Sequence, residues 1–176
     1  MRKKIIFIDV DGPLAWNTWD LGPQVFDIKC TNDRKFQIPY PWVREDCEAL
    51  QQICEETNAE LVVSSDWKRF YSIGQLKDIF MSYGVYAPVI DVTTHLDLTN
   101  KMSPLPEKER ALQIAQWVKI NKVSNWIAID DMNLAQEFKY LKPKLPMWRH
   151  VQVDGDWGKG GRLRDKVQEC IKKLEK

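Results

Sequence analysis

The stretch IIFIDVDGPL, residues 5 to 14, constrains the fold of this chain more than any other. A short apolar run rich in isoleucine is the kind buried on both faces of a parallel sheet, so residues 4 to 9 read as a first strand. The run ends in Asp9 and Asp11. Side chains alternate along a strand, so these two carboxylates project to one side, at the point where Gly12 and Pro13 must turn the chain. Like charges placed so repel unless something positive joins them. One reading is a strand that simply closes in polar turn residues. The other is a metal and phosphate site at the carboxyl end of a strand, where open α/β sheets hold their ligands.

The text that follows alternates between strand and helix. Residues 14 to 41 carry turn residues, aromatics and isolated charges without a sustained helical period, and read as an inserted lid with short strands around 25 to 28 and 35 to 38. Residues 42 to 58 space Val43, Cys47, Leu50, Ile53 and Cys54 as a helix does, with Asn58 as its stop. Strands are expected at 60 to 65, 89 to 92, 126 to 130 and 150 to 153. Helices are expected at 73 to 83, ending at Gly84, at 106 to 121 and at 162 to 174. Repeated strand-helix units with apolar strands imply an α/β, mainly parallel, doubly wound five-stranded sheet with helices on both faces.

Composition narrows the class. With 176 residues, 44% of them hydrophobic, the chain can bury one core and is short for two, so residues 1 to 176 are expected to form a single domain. The formal charge of +1 shows no global polybasic character, although a local basic groove is compatible with it. Cys30, Cys47, Cys54 and Cys170 include no C-x-x-C pair, which favours reduced thiols, and the apolar run after Arg2, Lys3 and Lys4 is too short for a signal core or a membrane span. A soluble, cytoplasmic protein with no membrane association and no obligate protein partner is the expectation.

A second acidic strand end decides between the two readings of the first. WIAIDDMN closes an apolar strand with Asp130 and Asp131, so two strands of a parallel sheet each deliver two acids to the same edge. Four carboxylates there require a cation, and Mg²⁺ suits hard oxygen ligands and a phosphate that completes its octahedron. Between these strands, ELVVSSDWKRF ends another in hydroxyls, and Lys108 and Arg110 supply cations just before the acidic strand. Ser64, Ser65, Asp66, Lys108 and Arg110 are therefore the candidate phosphate-binding set. Alone, strand-end serines and helix cations are ordinary; their order around the acidic ends is what raises them.

These residues together resemble the phosphatases of the haloacid dehalogenase (HAD) superfamily. Asp9-Val10-Asp11-Gly12 matches the first motif, Ser64-Ser65 the second, Lys108 or Arg110 the third and Asp130-Asp131 the fourth. The spacing of Arg110, Ile114 and Trp117 before WIAIDD, with VQVDGDWG near the end, is similar to the HAD domain of Swiss Army Knife RNA repair proteins, and in style to the phosphatase half of polynucleotide kinase-phosphatases. Pro13 departs from the β-branched residue usual there, which leaves both aspartates intact but bears on the turn into the lid. The resemblance implies a Rossmann-like HAD fold and a phosphomonoesterase that works through an aspartyl-phosphate. Asp9 would be the nucleophile and Asp11 the acid and base. Mg²⁺ would be held by Asp9, Asp131 and the backbone of Asp11, with Asp130 beside them. Ser65 is preferred to Ser64, which stays open, because Trp67 then falls where relatives carry tryptophan; Arg110 is preferred to Lys108 on its spacing to Trp117.

Other residues have plainer readings. His95 and His150 lack partners at metal spacing and read as structural, Trp117 and Trp126 as core, and Asp154 and Asp156 either as a plain polar turn or, because that turn follows a strand, as a border of the site. Gly158, Gly160 and Gly161 make a weak phosphate-loop signal. Trp16, Trp19, Trp67 and Lys68 are the candidate substrate contacts, because bases stack on exposed rings; the alternative is that the lid's rings form a small core of their own. The expected partner is a phosphorylated nucleotide or oligonucleotide end. A sugar phosphate or another small phosphomonoester is the competing substrate, and a non-catalytic binder of phosphorylated ligands is a third reading.

Overall fold

The structure, a computed structural model, describes residues 3–15, 26–29, 35–94, 106–154 and 162–176. In chain order the elements are β1 (Lys4–Ile8), a hairpin of β2 (Phe26–Lys29) and β3 (Lys35–Ile38), α1 (Arg44–Thr57), β4 (Ala59–Val63), α2 (Ile73–Ser82), β5 (Val89–Val92), α3 (Pro106–Asn121), β6 (Asn125–Asp130), α4 (Leu134–Tyr140), β7 (His150–Gln152) and α5 (Val167–Leu174). The sheet order is β5-β4-β1-β6-β7, and every pairing in it is parallel. The acidic strand β1 therefore lies at the centre, between the serine strand β4 and the second acidic strand β6. This is the α/β, Rossmann-like arrangement that the alternating pattern predicts.

The period of two in β1 sorts its residues between two cores. Ile6 and Ile8 face a core built with α1, α2 and α5, where Leu50, Ile53, Leu76, Phe80 and Leu174 are buried. Ile5 and Phe7 face the opposite core, built with α3 and α4, where Ile114, Trp117, Trp126 and Phe138 are buried. Phe7 meets the edges of Trp117 and Trp126 at 5.3 and 5.6 Å between ring centroids, so Trp117 and Trp126 are indeed core residues. Each such side chain stabilises the fold by about 1.5 to 3 kcal/mol through the apolar surface it removes from water.

Local chemistry marks the ends. Asn58 closes α1 at φ 55°, Gly84 follows α2 at φ 84°, and Ser72 with Gln75 forms a reciprocal cap that opens α2. The residues after Ser65 wind into a short 3₁₀ helix, Asp66–Arg69. The predicted closing helix is two pieces, a 3₁₀ turn over Leu163–Lys166 and then α5. The expected lid corresponds in part to the β2–β3 hairpin, whose Phe26, Ile28 and Phe36 pack against the first core while Ile38 is buried in it. Among the described residues no helix is long and apolar enough to cross a membrane. Cys47, Cys54 and Cys170 are free and buried, and burial pushes the thiols of Cys54 and Cys170 up to about 12.

The C-terminal region is fastened to α1 by one buried charge. The carboxylate of Asp46, fully buried, accepts from Arg162 Nε at 2.9 Å and Nη2 at 2.5 Å, and from the backbone N–H of Arg164 at 3.2 Å. Removing the guanidinium strands a charge in the interior. Arg162→Met is expected to cost about 3 kcal/mol, read as a lower urea midpoint at unchanged slope; a loss below about 1 kcal/mol would show that Asp46 finds other partners.

Candidate active site

Sheet register assembles the site. Ile8 pairs with Val63 of β4 and Ile129 of β6, and the ladder continues as Asp9 N–H donates to Ile129 O at 3.0 Å and Ser64 N–H donates to Ile8 O at 2.9 Å. Asp9, Ser64 and Asp130 thus stand at one level on three adjacent strands. Each continues the side of the sheet taken by Phe7, Val62 and Ala128, which is the side covered by α3. From the start of that helix's second turn Arg110 reaches in, and its Nη1 lies 2.9 Å from Asp9 Oδ2 and 2.9 Å from Asp130 Oδ2. Beyond Asp9 the chain turns, with the N–H groups of Leu14 and Ala15 both donating to Val10 O. Gly12 takes φ 88° there, and a Cβ on it would come within 2.8 Å of Asp131 Cγ, so only glycine lets the first acidic turn lie against the second.

Asp9, Asp130 and Asp131 can each offer a carboxylate oxygen within 4.8 Å of the others. Their electrostatics are those of a site short of positive charge. Burial, and then the charge of Asp9, raises the carboxyl of Asp131 to about 6 and that of Asp130 well above its ordinary range. Arg110 opposes both shifts. Burial works against its own charge, but Asp9 and Asp130 outweigh that and hold the guanidinium above its usual value. Three carboxylates against one guanidinium leave an excess that a divalent cation would balance, and the all-oxygen donor set suits Mg²⁺. The residues present fit such an ion.

Asp11 stands apart from that trio. Its Oδ1 accepts from the hydroxyl of Tyr40 and from Trp67 Nε1 at 2.7 Å. Burial, with Asp9 adding to it, lifts its carboxyl to about 6, while the two ring donors pull the other way. Near Arg110, Lys68 Nζ donates to Thr93 Oγ1 at 2.8 Å and Gln113 Oε1 at 2.6 Å. Burial and the charge of Arg110 lower this ammonium to about 8. A lysine held by two neutral oxygens keeps its charge and one N–H for an incoming anion.

Of the two serines, Ser65 Oγ accepts from Trp67 N–H at 3.4 Å and opens the 3₁₀ helix, whereas Ser64 Oγ, beside Asp9, is buried and has no partner among the described residues. Arg110 is in the site; Lys108 is exposed to solvent. The Asp66 side chain is exposed and pairs with Arg69 at 3.0 Å, outside the carboxylate cluster. Trp67, expected to meet substrate, is 3% exposed, and its indole is spent on Asp11 and on the core. Trp16, Trp19, His95, Asp156, Gly158, Gly160 and Gly161 lie outside the described residues. His150 is buried beside Phe138, and burial lowers its imidazole to about 4. Tyr40, Thr93 and Gln113 are members the sequence reading missed. Thr93 follows β5 as the serines follow β4, so the same strand-end rule points to it. No spacing marks Tyr40 or Gln113.

These shifts fix a sign. A carboxyl whose pKa is raised by folding contributes stability that is present below its unfolded value, near 4, and lost as pH rises through the folded value, about 6 for Asp11 and Asp131. The imidazole of His150, lowered by burial to about 4, works the other way over the same range, so the sign is read against a variant: between pH 5 and pH 7 the metal-free parent should lose melting temperature relative to Asp131→Asn. Asp131→Asn should raise metal-free stability at pH 7 by about 1 to 2 kcal/mol and remove the further gain that Mg²⁺ gives the parent. A metal-free difference between parent and Asp131→Asn that stays constant from pH 5 to pH 7, or moves the opposite way, would contradict the repulsion described here.

The model of the HAD domain in Swiss Army Knife RNA repair proteins matches residues 5–158. No curated protein matches the chain.

Proposed function

We propose that the chain, which belongs to the family of HAD domains in Swiss Army Knife RNA repair proteins, is a Mg²⁺-dependent phosphomonoesterase acting through an aspartyl-phosphate at a nucleic-acid end. The observation that carries the reading is Asp9, set between Ser64 and Asp130 with Arg110 across it, and Asp11 two residues further on, in the turn that follows the strand. A binder of phosphate has no use for a second carboxyl held clear of the first.

In the forward step an Asp9 oxygen forms a bond to phosphorus as the ester P–O bond breaks, and Asp11 gives its proton to the departing oxygen. In the second step Asp11 takes a proton from water, whose oxygen attacks the aspartyl-phosphate and returns Asp9 as a carboxylate. Ser64 Oγ, Lys68 Nζ and Arg110 are the donors for the phosphoryl oxygens, and Ser65 keeps the turn that carries Lys68 in shape. Asp9, Asp130 and Asp131 would hold Mg²⁺, together with the Asp11 carbonyl that the family resemblance implies. When bound, the ion neutralises charge between carboxylate and phosphate.

The substrate class rests on the family, whose description names RNA repair, and on Lys68 and Arg69 beside the site. The insertion's described rings lend less: Phe26, Phe36, Tyr40 and Trp42 pack against the core, which leaves Trp16 and Trp19 as the rings proposed to stack on a base. A sugar phosphate is the competing substrate.

The tests are direct. Asp9→Asn protein should fold and turn over no p-nitrophenyl phosphate, and the parent should lose activity on chelation and regain it with Mg²⁺; near-parental rates in either experiment would overturn the mechanism. A 3′- or 5′-phosphorylated oligonucleotide should surpass a sugar phosphate in kcat/KM, with Trp16→Ala or Trp19→Ala raising its KM about tenfold. Equal specificity would move the assignment to small metabolites. Because Lys68 is charged below about pH 8, KM for any phosphomonoester should climb above that pH. Lys68→Met, which keeps the stem, should have a raised KM and no such rise.

A further inference from the structure

A carboxyl that protonates a leaving group must present one chosen oxygen to it. The torsion at the end of an aspartate side chain is soft, and its two oxygens are equivalent until the surroundings distinguish them. At Asp11 they are distinguished: both ring donors, the hydroxyl of Tyr40 and the indole N–H of Trp67, converge on Oδ1. An oxygen that accepts two such bonds is poorly placed to carry a proton of its own. Oδ2 is left to carry it toward the substrate.

The donors are themselves held. The Tyr40 and Trp67 rings meet edge-on at 5.9 Å; Trp67 also stacks on Tyr71 at 5.3 Å and meets the edge of Trp42 at 5.5 Å. The Tyr71 hydroxyl donates to Gln37 O at 2.8 Å, tying β3 to the turn that carries Trp67. Tyr40 lies two residues beyond the end of β3, so the hairpin inserted after β1 is joined to Asp11 through the Tyr40 hydroxyl. Twenty-nine residues separate Asp11 from Tyr40 and fifty-six separate it from Trp67, and the two donors arrive from different parts of the chain. Neither belongs to the four motifs, and both spend their polar atom on Asp11.

From this we infer that Tyr40 and Trp67 are positioning residues that pin Asp11 by Oδ1, so that its Oδ2 meets the leaving oxygen, and that docking of the inserted hairpin completes this arrangement. The inference rests on the phosphatase reading and on Asp11 as its general acid. Loss of one pinning donor weakens proton delivery without touching the nucleophile. Substrates that need the proton should suffer, and those whose leaving group departs without one should not.

The experiment compares kcat/KM for phenyl phosphate, whose leaving group needs protonation, with that for p-nitrophenyl phosphate, whose leaving group needs it far less. The proteins are the parent, Tyr40→Phe, Trp67→Phe and, as reference, Asp11→Asn. Tyr40→Phe keeps the ring and removes only the hydroxyl; Trp67→Phe tests the other donor, with folding checked by circular dichroism. Tyr40→Phe should lose about tenfold on phenyl phosphate and less than about twofold on p-nitrophenyl phosphate, the same direction of selectivity as Asp11→Asn on a smaller scale. Equal losses on both substrates, or none on either, would overturn the positioning role while Asp11→Asn still shows the selectivity. If Asp11→Asn itself lacks the selectivity, the general-acid reading falls and this inference falls with it.

Discussion

One guanidinium nitrogen, shared at equal distance by carboxylates on neighbouring strands, is the contact on which the carboxyl edge of this sheet depends. Parallel pairing leaves no choice about proximity: once Ile8 aligns with Ile129, Asp9 and Asp130 stand side by side, out of water, where like charges repel far more strongly than in solution. Arg110 is held against them by the packing of its helix. Ala111, Ile114 and Trp117 bury in the same core as Phe7, and Trp117 Nε1 donates to Asp91 Oδ2 on the edge strand β5 at 2.7 Å. The guanidinium is therefore delivered by an apolar face, and the polar contact does not have to pull the helix into place by itself.

What remains is a locally unfavourable cluster within a favourable molecule. Two apolar cores on opposite faces of the sheet hold the strands in register, and the register holds the acids together against their own repulsion. Stability is high where the side chains are apolar and low where they are charged. That division is expected of a site whose carboxylates suit a bound cation better than they suit each other.

Most of this fold was legible because its signals are short-ranged. Strand ends at Asp9, Ser64 and Asp130, the stop at Asn58 and the helix from Pro106 are written in neighbouring residues, and a parallel sheet turns such ends into one edge. The preference for Arg110 over Lys108 agrees with the side of α3 that packs inward. Helix α4 was missed because seven residues are too few to establish a period beside a conspicuous acidic turn. Trp67 counts among the candidate stacking rings in the sequence; its burial depends on Tyr40, Trp42 and Tyr71, which no local pattern brings together. In the sequence Tyr40 is one ring among several in residues 14 to 41 and Gln113 one polar residue on a helix. Their roles exist only in three dimensions.

The alternation in β1 has a further meaning for how the chain folds. Ile5 and Phe7 belong to one core and Ile6 and Ile8 to the other, so a slip of one residue along the strand would exchange the contents of both at once. The same slip would carry Asp9 away from Arg110. A chain with β1 in the wrong register thus fails in its packing and its chemistry together, and the two oily layers act as a proofreader for the polar edge. Polypeptide that has passed the test of collapse has, by the same act, aligned the carboxylates. A well-packed but miswired population has no core in which to hide.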